Sequence, residues 1–223
     1  MHQRKGKKIL FYLFLLLIIG SINNNSLSKI QFEKIKNIKI SGLSENENTK
    51  LLEKIKNLNL ENIFLIKRNQ ISKIINSNNL VENYEVFKKY PNSIDIKIEK
   101  TNFLAKISRN GKISLVGSNG KLSDIKFSDR ELPYIFGKPK INEFLEFNNI
   151  IEQSRFSLNE VKNLYFFPSK RWDLELKNNV ILKLSRDHIK LSLDQAFELL
   201  NDNNFNDIKI VDARIKNQII LND

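Results

Sequence analysis

The 223-residue chain contains no cysteine. That excludes disulfide frameworks, thiolate metal sites and cysteine nucleophiles. Histidine is nearly absent as well: His2 and His188 are too few for a multi-histidine metal site. His188 falls in the polar stretch Ser185–His188 and reads as a solvated turn residue. There is no G-x-S-x-G nucleophile elbow, no P-loop and no G-x-G-x-x-G dinucleotide loop. Among 25 acidic residues, no pair sits in a recognisable acid/base motif. The residues therefore read as non-enzymatic. No catalytic, cofactor-binding or metal-binding side chains are expected, and no small-molecule substrate.

Long runs of one charge sign are missing too. The formal net charge of +12 comes from 37 Lys and Arg against 25 Asp and Glu. Arg4, Lys5, Lys7 and Lys8 supply a third of it within eight residues that carry no acid. Residues 29–101 then hold 14 basic and 9 acidic side chains, and residues 102–223 hold 19 and 16. Lys outnumbers Arg 29 to 8 beside abundant Asn and Ile, which reads as A/T-rich codon drift. Nucleic-acid binders concentrate charge on one face or add aromatic stacking platforms. Neither pattern occurs after residue 8, so nucleic acid is not an expected partner.

What is present begins with Ile9–Ile22, an apolar run of 14 residues without a charge, extending through polar uncharged residues to Leu27. Two readings compete: a cleaved secretory signal and an uncleaved signal anchor. Cleavage sites need small residues. Cutting after Ser21 or Ser26 would place Ile19 or Asn24 where one is required, which favours the anchor, over residues 9–28. Arg4, Lys5, Lys7 and Lys8 then act as the topology signal. They keep the tail of residues 1–8 cytoplasmic and send the rest across the membrane.

Residues 32–101 read as a first module in the order β-α-α-β-β. Phe32–Ile40 suggests a short strand that leaves through Ser41-Gly42. Ser44 is a candidate N-cap, with Leu51, Leu52, Ile55 and Leu58 on one helical face. Lys67–Ser77 repeats that pattern with Ile71, Ile74 and Ile75. Val81–Tyr90 reads as a strand, Pro91-Asn92-Ser93 as a turn, and Ser93–Lys100 alternates strictly with Ile94, Ile96 and Ile98 inward.

Residues 102–223 read as a second, mostly antiparallel β-module with flanking helices. Asn110-Gly111 between alternating runs is a strong hairpin signal, and Asn119-Gly120 follows it. Asp124–Phe136 reads as a loop, Ile141–Ile151 as a helix, and Ser157 as the cap of a short helix through Leu164. Arg171–Leu176 alternates, turns at Asn178-Asn179 and returns through Val180, Leu182 and Leu184. Trp172 reads as core, with Arg171 and Asp173 on the other face. A helix over Lys190–Asn201 precedes a β-rich end, Ile208–Leu221.

Several of these segments resemble one family. Lys36-Asn37-Ile38-Lys39-Ile40-Ser41-Gly42 is similar to the opening strand of POTRA domains. Val81–Val86 and Lys88–Lys100 are similar to their closing hairpin. Lys170–Asn178 resembles the "R-R-W-D-L-x-L-x-N-G" segment of the FtsQ/DivIB cell-division proteins, and Ile210–Arg214 their "V-D-L-R". Ala213 and Asn179 depart from that pattern at Leu and Gly positions, and Gly117 stands where Asp is common. The resemblance implies an α+β fold: a single N-terminal transmembrane helix, a POTRA domain and an FtsQ-type β-domain. It implies a bitopic inner-membrane scaffold at the division septum, with a cytoplasmic N-terminus and periplasmic domains. Its partners would be FtsB/FtsL-like divisome proteins, and other divisome components through the POTRA domain. Capture would occur by strand addition on a C-terminal edge formed by Arg214, Ile215, Lys216, Asn217, Gln218, Ile219, Ile220 and Leu221. The alternative is a POTRA-bearing outer-membrane assembly or secretion factor.

Overall fold

The apolar run forms the first element of the computed structural model, which describes residues 3–22, 33–124, 131–202 and 208–222. Helix α1 spans Gln3–Ile22, and the side chains of Arg4 and Lys5 lie outside the described residues. Among the described residues no helix is long and apolar enough to cross a membrane. The expected transmembrane helix is thus not among them. The reason is length. Its 14 uncharged residues rise about 21 Å, against a hydrocarbon layer of about 30 Å. Residues 23–28 of the expected anchor lie outside the described residues.

A three-stranded sheet follows. It holds β1 (Asn37–Ser41), β2 (Val81–Lys89) and β3 (Ser93–Lys100), with helices α2 (Glu45–Lys56) and α3 (Arg68–Asn76) between β1 and β2. The strand order is β1-β3-β2, with β3 parallel to β1 and antiparallel to β2. The alternation in β3 puts Ile94, Ile96 and Ile98 into a core with Leu51 and Ile55 of α2 and Ile71 and Ile75 of α3. Ser44 does stand at the N-cap of α2, but its side chain accepts no capping bond. The Asn48 amide instead ties down the chain ahead of it through both backbone groups of Leu43. Gly42 explains the glycine that ends the opening strand. Its φ is +115°, and a Cβ there would lie 1.7 Å from the Ile98 carbonyl oxygen. No other residue fits such a conformation and approach.

The second sheet has nine strands. In chain order they are β4 (Phe103–Arg109), β5 (Lys112–Gly117), β6 (Leu122–Ser123), β7 (Tyr134–Phe136), β8 (Val161–Phe166), β9 (Trp172–Leu176), β10 (Ile181–Leu184), β11 (Ile210–Ala213) and β12 (Ile220–Asn222). Helix α4 (Ile141–Glu152) precedes β8, and α5 (Ile189–Leu200) crosses from β10 to β11. The spatial order is β12-β11-β10-β9-β8-β7-β4-β5-β6. Pairing is mostly antiparallel. The exceptions are β10 with β11 and β7 with both its neighbours, all parallel. Phe144, Phe147 and Ile151 of α4 and Leu193 and Ala196 of α5 cover one face, against Trp172, Leu174, Leu182 and Val211. Trp172 is core as expected, stacked on Phe147 at 4.5 Å with rings nearly parallel.

Three segments differ from their sequence reading. The expected loop at 124–136 contributes β7, although residues 125–130 lie outside the described residues. The expected helix after Ser157 is a single 3-10 turn, Leu158–Glu160, followed by strand β8. A β-bulge between Val161 and Asn163 is the cause. It turns both Val161 and Leu164 toward the core, so a bulged strand imitates helical i, i+3 spacing. The β-rich C-terminus is two short strands with a turn between them.

A candidate partner-binding edge

β10, β11 and β12 close one end of the nine-stranded sheet. The crossover through α5 lays β11 parallel to β10, pairing Lys183 with Asp212. The hairpin across Lys177–Asn179 pairs the same Lys183 with Asp173 on β9. Asn179 takes φ +66°, which explains why glycine suits that position. Two motifs far apart in sequence therefore meet. Asp173, Lys183 and Asp212 form one row across three strands, each acid gripped by its own arginine.

Arg171 makes a two-pronged contact with Asp173, Nε to Oδ1 at 3.0 Å and Nη2 to Oδ2 at 3.1 Å. Asp173 is only 5% exposed, so the pair is not the solvated one its strand position suggests. Arg171 also lies over the Phe167 ring, 4.3 Å from its centre. Arg214 holds Asp212 through Nε at 2.8 Å and Nη2 at 2.6 Å, and its backbone N–H donates to Oδ1 at 3.2 Å. These bonds pull the Asp212 carboxyl below its usual range, with Lys183 adding to the pull, and raise the Arg214 guanidinium in return. The side chain of Asp212 thereby shapes the departure from β11 as well as carrying charge.

Beside this row lies a second polar knot that motif reading missed. Glu175 accepts from Asn163 Nδ2 at 2.8 Å and from the Tyr165 hydroxyl at 2.8 Å, and it pairs with Lys162 at 2.8 Å. Bonds from Asn163, Lys162 and Tyr165 bring its pKa down to about 2. The only sequence signal for the knot is the i, i+2 spacing of Asp173 and Glu175 on one strand face.

The expected edge residues divide into a turn and a strand. Arg214 leaves β11, and Ile215, Lys216, Asn217 and Gln218 form a turn closed by the Gln218 N–H donating to the Ile215 carbonyl at 3.2 Å. Asn217 supplies φ +59° at its third position. Only Ile220 and Leu221 of the expected set are in β12, joined by Asn222 and antiparallel to β11. Ile219 and Leu221 pack on the core, while Ile215 and Ile220 are exposed. β12 is the last strand of the sheet, so its outer side meets no other strand among the described residues. Of the basic tail, Lys7 and Lys8 are exposed on α1, remote in sequence from this edge.

Comparison with known proteins fits this organisation. The model "POTRA domain, FtsQ-type" matches residues 33–100, and "Cell division protein FtsQ/DivIB, C-terminal" matches residues 105–214. Together they account for about four fifths of the chain. No curated protein matches the sequence. Among solved structures, the major extracytoplasmic domain of the trans isomer of the cell division protein DivIB from Geobacillus stearothermophilus is similar. It is 14% identical and has a TM-score of 0.35, over 48% of this chain and 98% of that one. A likeness that low carries no structural argument. The two family models carry the assignment, and the second ends on Arg214, the arginine that grips Asp212: the chain belongs to the FtsQ/DivIB family of cell division proteins.

Proposed function

We propose that this chain is a non-enzymatic scaffold of the bacterial divisome. It links early division-site components to FtsB/FtsL-like partners, and through them to septal peptidoglycan synthesis. The parts are a cytoplasmic tail (1–8), an inner-membrane anchor (9–28), a POTRA domain (32–101) and a β-domain (102–223). In sequence the uncharged stretch that begins at Ile9 reaches 19 residues when counted on to Leu27, and the four basic residues before it orient it. The POTRA domain contacts other divisome components near the bilayer. The β-domain captures its partner as an added strand.

One observation carries the capture step: the open outer side of β12, beside the Asp212–Arg214 pair. An added strand gains affinity from main-chain hydrogen bonds and specificity from side chains that alternate along it. A β-barrel partner domain would favour the outer-membrane alternative. Among the described residues the second sheet is open, ending in β6 and β12. Ile220, 45% exposed, is the side chain to test. Ile220→Lys should weaken capture of an FtsB/FtsL-like fragment by on the order of tenfold or more, a hot-spot-sized loss, while thermal unfolding of the chain stays unchanged. An unaltered dissociation constant would refute strand addition at β12.

A further inference from the structure

A second exposed surface lies on the first sheet, far in sequence from the C-terminal edge. Phe64, Leu65 and Tyr90 are 56%, 66% and 62% exposed, and the Phe64 and Tyr90 rings lie 5.2 Å apart. They come from two segments, the connection between α2 and α3 and the turn between β2 and β3. Lys88 ties these together by donating to the Ile63 carbonyl at 2.7 Å. Scattered exposed apolar residues are ordinary, but a contiguous aromatic cluster marks a surface that meets something.

Its position says what. The chain arriving from α1 is fastened to the same turn. The Lys36 N–H donates to the Asn92 carbonyl at 2.9 Å, and the Asn92 amide donates to the Glu33 carboxylate. β1 then starts opposite Ser93. The steps from Ile22 to Glu33 span at most about 40 Å, which bounds how far this end of the sheet lies from the end of α1. Lys88 reaches the cluster through that bond, Lys34 and Lys36 line one hollow with Lys56 and Glu61, Lys67 follows Leu65 by two positions in the chain, and Lys36 pairs with Glu33 and Lys89 with Asp95. Tyrosine and apolar side chains amid lysines suit the headgroup layer of a bilayer. The rings sit at the interface, and the ammonium groups reach anionic phosphates.

We propose that this end of the first sheet docks on the anionic lipid headgroups of the membrane that holds α1. The proposal rests on the reading of α1 as an anchor, and the short tether makes the contact effectively intramolecular. β3 runs from this turn to the junction with the second sheet. Its eight residues rise roughly 26 Å. Docking would therefore stand the first sheet on its end.

The absence of cysteine makes a single-site label possible. Full-length chains carrying Leu65→Cys or Tyr90→Cys, labelled with an environment-sensitive fluorophore, are placed in vesicles of phosphatidylglycerol and phosphatidylethanolamine with brominated acyl chains. Ile113→Cys, on the exposed side of β5, is the control. Quenching and a blue shift are expected at positions 65 and 90 and not at 113. They should fade in phosphatidylcholine alone and at high salt. Lys34→Gln and Lys67→Gln should each lower the docked-to-free ratio about fivefold. Labels at 65 and 90 no more quenched than 113 would overturn docking, and equal quenching in phosphatidylcholine would overturn its anionic basis. Carbonate extraction reads the anchor separately. A chain that resists extraction but is not quenched refutes the docking surface alone. A chain quenched yet extracted refutes the anchor alone.

Discussion

At the residue scale, the polar face of β9 is where charge is held most tightly. Glu175 has a folded pKa of about 2, below the roughly 4.3 of an unfolded glutamate. A depressed carboxylate contributes stability that is complete above the unfolded value and is lost as pH falls toward the folded one. That window runs from about pH 4 to about pH 2. Glu175→Gln should therefore lower the urea midpoint at neutral pH, and the deficit against the parent should close on acidification through that window. A deficit independent of pH would mean that the ionised form is not what the knot stabilises. Gly42 acts through backbone shape. Gly42→Ala adds a Cβ against the Ile98 carbonyl at φ +115°. It should cost at least about 1–3 kcal/mol of unfolding free energy, measured by chemical denaturation.

Among elements, the terminal strand changed most between sequence and structure. The sequence reading runs it from Arg214 to Leu221 and treats all eight residues alike. The turn at Ile215–Gln218 shortens it to Ile220–Asn222 and separates two neighbouring isoleucines. Ile219 packs on the core and Ile220 does not. Ile219→Lys should thus destabilise the chain by on the order of 1–3 kcal/mol, in the range of mutations that put a charge against a core. Ile220→Lys should leave the melting temperature alone. Equal melting temperatures for the two variants would contradict the packing of Ile219. A short edge strand is also a protected one, since a long open edge invites indiscriminate pairing.

For the whole molecule, the two sheets meet through polar contacts that no motif announced. The Asn119 amide donates to the carbonyls of Asn79 at 3.0 Å and Val81 at 2.8 Å, and Lys121 Nζ donates to the Asn76 carbonyl at 2.7 Å. The hydroxyls of Thr101 and Ser118 both donate to Glu82, at 2.8 Å and 2.7 Å. Asn119 and Gly120 thus turn the chain, and Asn119 and Lys121 also clasp the end of the first sheet. Asn119→Ala removes the donor from one exposed and one part-buried carbonyl, at about 1 kcal/mol. Amide exchange should accelerate at Thr101, whose N–H is bonded to the Leu80 carbonyl, and stay unchanged in β10 and β11. Unchanged exchange at Thr101 would show that Asn119 does not hold the junction.

Much of the fold was legible because periodicity is local. Strict alternation marked β3, Asn-Gly marked the β4–β5 hairpin, and apolar faces marked α2 to α5. Where a local device broke the period, the reading failed. A bulge disguised β8 as a helix, and β7, three residues long, exists only because β4 and β8 flank it. The residues of the C-terminal site were legible as motifs, and their meeting was not. Arg171-Trp172-Asp173 and Asp212-Ala213-Arg214 lie about forty residues apart. They share Lys183 because α5 crosses the sheet and sets β11 parallel to β10. The sequence by itself determined the elements whose period no local device broke, the burial of Trp172 and the charge asymmetry of the N-terminus, all consequences of residue order along a few turns or strands. Tertiary structure alone decided which charges face one another, which isoleucine faces water and where the last open edge lies. Those follow from strand order and register, which join residues the chain keeps far apart.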